Sequence, residues 1–148
     1  MTPEADHILK VSAGQLMAGV IPLLPNAYSQ GSTALLAFLM LFAAEEYERG
    51  ADIRAADNAD MRAAFGAVTP LVGDTTLKAK LDEAAASADA SLLISALDKS
   101  NAHLRALLIE LQIYLEEQPG DDARAGEKRI WTVLQASAAR RLLKSPVG

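Results

Sequence analysis

The chain contains no cysteine. Disulfides, thiolate nucleophiles and cysteine-ligated zinc or iron–sulfur centres are therefore excluded, and the redox compartment is left open. Histidine occurs only twice, at His7 and His103, so imidazole chemistry has little to draw on. Aromatics make up 5% of the residues, with a single tryptophan, Trp131. No glycine-rich phosphate loop, nucleophile elbow or Ser-x-x-Lys string is present. The longest apolar run, Ala34 to Ala44, is eleven residues, whereas a bilayer span takes about 20. It predicts a buried helix segment or a subunit contact, and no membrane span. Two acids precede the first base, and Pro22 and Pro25 interrupt the apolar stretch that follows. That is a poor secretory leader, and the expected location is cytoplasmic.

What is present is helical. Alanine (29) and leucine (22) supply about a third of the 148 residues, both are strong helix formers, and no stretch sustains the alternation of a strand. The length suits a single domain, residues 1–148, burying roughly 68% of its unfolded surface.

Helix signals divide the chain into five segments. The first helix is expected from Thr2 as cap and Pro3 at its first position to about Ile21, with Leu9, Ala13, Leu16 and Val20 as its apolar stripe. After PLLPNAYSQGS, a second helix is expected from about Ser32 to Val68, with a weak point at Gly50 and a stripe through Tyr47, Ala51, Arg54, Asn58, Met61, Phe65 and Val68. A short third helix runs from Thr75 to about Ser87. A fourth, capped by Asp89, extends from about Ala90 to Glu117 on a seam of Ile94, Leu97, Asn101, Leu104, Leu108, Leu111 and Leu115. The fifth, about Ala123 to Lys144, carries Ile130, Trp131, Leu134, Ala138 and Leu142 and stops before Pro146. The predicted fold is all-α, an antiparallel up-down helical bundle of four long helices plus one short helix.

The net charge of −5 disfavours a nucleic-acid partner. Its distribution is uneven: residues 1–74 hold nine acids against four bases, and residues 123–148 hold Arg124, Lys128, Arg129, Arg140, Arg141 and Lys144 against Glu127. The basic last helix is expected beside the acidic stretch Glu45 to Asp60, unless it serves an anionic partner.

One internal echo stands out. NADMRAAF at 58–65 and NAHLRALL at 101–108 each place an asparagine on the apolar stripe and an arginine one turn later. Ser137 and Arg141 form a looser third version. An asparagine in a leucine seam must be partnered, since an unmet buried polar group costs about 1–3 kcal/mol. Asn58 and Asn101 are expected to bond each other, a backbone carbonyl or water and so fix helix register. Alternatively Asn58, Arg62, Asn101, Arg105 and Arg141 converge on a small carboxylate or phosphate, or the echo is coincidence in an alanine-rich chain.

The remaining candidates favour contact over catalysis. Glu4-x-x-His7 has the spacing of a di-iron ligand pair, but no second copy exists, so no metal site and no cofactor are expected. A metal enzyme through His7 or His103 is the weakest reading. Glu45, Glu46 and Glu48 read as a buried helix emerging into water, and Trp131 reads as core or as an interface anchor. Tyr28 and Tyr114 are placed to cover a bundle end or a partner. The leading expectation is a non-catalytic protein acting through protein–protein contact, a homodimer whose interface uses Leu35, Phe38, Leu39 and Phe42.

Overall fold

Long proline-free, alanine-rich segments leave the backbone little alternative to helix. In the computed structural model, which describes residues 4–142, five α-helices are present with no strand among the described residues. They are α1 (Ala5–Gln15), α2 (Ala27–Val68), α3 (Thr75–Ala86), α4 (Ile94–Glu116) and α5 (Asp121–Arg140). Contacts group the chain into two compact units, one ending at Gly50 and the other Ala51–Leu142, so α2 contributes its first half to one and its second half to the other.

In the first unit α1 ends sooner than its stripe predicts. A π turn, Leu16–Val20, and a 3-10 turn, Ile21–Leu23, follow it. Pro22 cannot donate to the ladder and its ring crowds the carbonyl four residues back. The wider turn, with the Ile21 amide donating to the Leu16 carbonyl, meets this demand. The predicted cap Thr2 and Pro3 lie outside the described residues. The α2 helix starts earlier than Ser32, because the Asn26 side chain accepts the Ser29 amide at 2.8 Å and caps it. It then runs unbroken through Gly50 for 42 residues. Ala13, Ala37 and Ala44 are fully buried, and Glu48 is near enough to Lys10 to support a pKa raised chiefly by Asp6.

In the second unit Met61, Phe65 and Val68 of α2, Leu77 and Leu81 of α3, Leu104, Leu108, Leu111 and Leu115 of α4, and Ile130 and Val133 of α5 form one core. The leucine seam of α4 is buried from Leu97 to Leu115, while its first member, Ile94, is 40% exposed. Chain direction alternates. Lys80 pairs with Glu110 and the Gly73 amide donates to the Tyr114 hydroxyl, so α3 and α4 are antiparallel. Arg105 reaches Ser137 whereas Leu115 packs on Gly126, which sets α4 against α5. Asp57 meets Arg140 whereas Val68 packs near Gly126, which sets α5 against α2.

Two expectations about α5 are corrected. Its buried positions are Ala123, Gly126, Ile130, Val133 and Ser137, so the stripe is rotated from the predicted one; Ala138 and Leu142 face solvent and Trp131 is 59% exposed. The small residues Ala123, Gly126 and Ser137 let α5 approach its neighbours closely on the face that also carries Ile130 and Val133, and this leaves Trp131 outside. Gly126 belongs to this contact: a Cβ there would lie 2.8 Å from Leu115 Cδ1. The helix ends at Arg140; Lys144 and Pro146 lie outside the described residues.

Candidate functional site

The polar residues of the second unit form one continuous network. Asn58 is fully buried on α2. Its Oδ1 accepts from Asn101 Nδ2 at 2.9 Å, and its Nδ2 donates to Asp89 Oδ1 at 3.0 Å and to the Leu97 carbonyl at 3.2 Å. Both amide hydrogens and one acceptor position are therefore used. The two asparagines bond each other across α2 and α4, which is the register-fixing arrangement expected of a polar seam residue.

The arginines of the echo find carboxylates and hydroxyls within the chain. Arg62 grips Asp89 with both terminal nitrogens, at 3.2 and 2.8 Å, and also reaches Ser87 and Ser100. This geometry corrects the expected cap: Asp89 does not start a helix, because a charge-assisted fork plus the Asn58 amide outweighs one backbone amide, and α4 begins only at Ile94. The Arg62 guanidinium, aided by Ser100 and Asn58, holds the Asp89 carboxyl below the usual carboxylate range against the opposing effect of desolvation. Arg105 donates from Nε to Asn101 Oδ1 at 2.8 Å and from Nη2 to Ser137 Oγ at 3.4 Å.

Ser137 links this half of the network to the next. Its hydroxyl donates to Asp57 Oδ2 at 2.9 Å and accepts from Arg141, which also bonds Asp57. Asp57 is only 2% exposed, and its second oxygen accepts from Arg140 at 3.0 Å. Arg140 also pairs with Asp60, which is the main reason its pKa is raised. The basic end of the chain thus meets the acidic stretch at Asp57 and Asp60, the arrangement the charge distribution predicts. A buried carboxylate is tolerable only with such partners.

All three versions of the echo, Asn58–Arg62, Asn101–Arg105 and Ser137–Arg141, therefore meet in this network. Asp89 and Asp57 are the carboxylates that partner Arg62 and Arg141 in it. The gap lined by Asp57, Met61, Arg105, Leu108, Val133, Leu134 and Ser137 measures about 10 Å³, room for one water at most. Asp57 carried a weak sequence signal as the neighbour of Asn58 within the acidic stretch. Asp89 carried a misleading one, because an aspartate before a helical segment reads as a cap.

A groove of about 400 Å³ opens between α3 and α4, lined by residues including Lys80, Glu83, His103 and Glu110. Its charged rim is bridged by the Lys80–Glu110 pair at 2.6 Å. His7 and His103 are both exposed, and no group of three potential ligands is poised to hold a metal among the described residues.

The second candidate site lies in the first unit. Leu35, Phe38, Leu39 and Phe42 are 58%, 45%, 51% and 40% exposed. At 3.6 residues per turn these four fall within about 100° of arc, diametrically opposite the buried Ala37 and Ala44. Tyr28 extends the same stripe and is 86% exposed. The helix turns small residues inward and large apolar ones outward, the reverse of an ordinary surface helix. By length and composition alone, the stretch Ala27–Leu71 also qualifies as a membrane-crossing helix, and only 11% of its most apolar window is buried. Comparison with protein families, curated proteins and solved structures finds no match to this chain.

Proposed function

We propose that this protein is non-catalytic and acts through contact, by self-association through the outward face of the first half of α2. One observation carries the reading: Leu35, Phe38, Leu39 and Phe42 form a contiguous exposed apolar stripe opposite fully buried Ala37 and Ala44. Patches of this kind mark interaction surfaces, since leaving them in water forfeits about 25 cal/mol per Å². The polar network of the second unit supports the same reading. Its buried groups are partnered within the chain, so it serves as a device for register and not as a poised acid, base or ligand cradle.

The proposal is of a cytoplasmic homodimer, with no cofactor, nucleic acid or membrane required. Sedimentation velocity or light scattering at micromolar concentration tests it. The expected mass is twice 15.7 kDa, returning to the monomer value in a Leu35→Glu/Phe42→Glu variant that keeps the helical circular dichroism of the parent. A wild-type monomer at these concentrations overturns the proposal.

A further inference from the structure

Resting on that reading, we infer that the second copy docks antiparallel, about a two-fold axis that crosses α2 between Phe38 and Leu39. An isologous helix pair can run parallel or antiparallel, and the charges along this face distinguish the two. The stripe begins uncharged, from Tyr28 through Ser32, and ends in Glu46 and in Glu45, whose carboxylate is ion-paired with Arg49 one turn later, so that the end carries a net negative charge. Parallel pairing lays the acidic end of one copy on the acidic end of the other, which like charges penalise. With the axis between Phe38 and Leu39, antiparallel pairing moves the two acidic ends roughly 20 Å apart at 1.5 Å per residue.

The same register supplies favourable neighbours at every level. Leu35 of one copy meets Phe42 of the other, and Phe38 meets Leu39 next to the axis. Glu45 and Glu46 come to the start of the other α2, where the helix dipole favours negative charge. Counting about 200 Å² for a fully exposed large side chain, the exposed parts of Tyr28, Leu35, Phe38, Leu39 and Phe42 cover about 560 Å² per copy and about 1,100 Å² in the pair, just above the roughly 1,000 Å² that a biological interface needs.

The absence of native cysteine makes the register directly readable. Ser32 and Glu46 are exposed on the rim of the stripe, so Ser32→Cys and Glu46→Cys leave its apolar centre intact. A short bismaleimide added to a mixture of the two variants should give a covalent dimer at least fivefold more abundant than either variant gives alone. Self-linking of each variant alone, with no gain on mixing, means a parallel pair and overturns the register. A wild type of dimeric mass in which none of these combinations links means another surface, and overturns it equally. A wild type of monomeric mass instead refutes the self-association reading beneath it. If that monomer co-sediments with phosphatidylcholine/phosphatidylglycerol vesicles, lipid is the occupant of the stripe and both readings fall.

Discussion

The removal of Asn58 is the sharpest test of the polar network. In Asn58→Ala the Asp89 carboxylate loses a donor at 3.0 Å, Asn101 loses its acceptor at 2.9 Å, and the Leu97 carbonyl loses a second donor at 3.2 Å. A hydrogen bond to a charged group contributes about 1.5–3 kcal/mol and a neutral one about 1 kcal/mol. The Leu97 carbonyl keeps its helical partner, so its loss counts for little. The expected cost is about 3 kcal/mol, a large share of the roughly 5–15 kcal/mol that holds a domain folded. Urea denaturation followed by the fluorescence of Trp131, the sole tryptophan and a member of the second unit, reads it where it arises. Asn101→Ala should cost less, about 2 kcal/mol, because Asn101 is half-buried and its main penalty is the orphaned Asn58 Oδ1. The double variant should be less unstable than the two losses added, by about 1 kcal/mol, since both remove the same bond. A cost below about 1 kcal/mol for Asn58→Ala, or strict additivity, would refute the interior role assigned to the pair.

Other consequences follow from the same geometry. Because Arg62 depresses the Asp89 pKa, the unfolded chain takes up that proton first. The pair's stabilisation should be whole above about pH 4 and decline as pH falls through the lower folded value. Asp89→Asn should lower the plateau and flatten that acid limb, and an unchanged limb in denaturant titrations would contradict the assignment. Gly126→Ala should destabilise by about 1 kcal/mol in thermal or urea melts, because the clash with Leu115, at 2.8 Å from the added Cβ, exceeds the gain in helix propensity. Gly66→Ala, where the nearest atom is an ordinary 3.8 Å away, should instead stabilise by roughly 0.5–1 kcal/mol. Leu111→Ala, at a fully buried core position, should cost about 2–5 kcal/mol.

Local chemistry fixed much of this protein before any tertiary contact is considered. Alanine and leucine content made it helical, the leucine seam of α4 identified its buried face, and the Asn58–Asn101 echo marked two amides that had to find company. Those features depend on periodicity and on the cost of an unmet polar group, both of which a linear sequence carries. What depended on three dimensions was the competition between partners. Asp89 left its cap for Arg62, Asp57 gathered Ser137, Arg140 and Arg141, and α5 turned Gly126 inward and Trp131 outward. Each outcome compares a local preference with a contact made by residues on another helix or loop, 11 or more positions away, and no local pattern carries the second term. The outward apolar stripe of α2 lies between these cases: Leu35, Phe38, Leu39 and Phe42 were legible as an apolar surface, and the burial of Ala37 and Ala44 on the opposite side decided that they face outward.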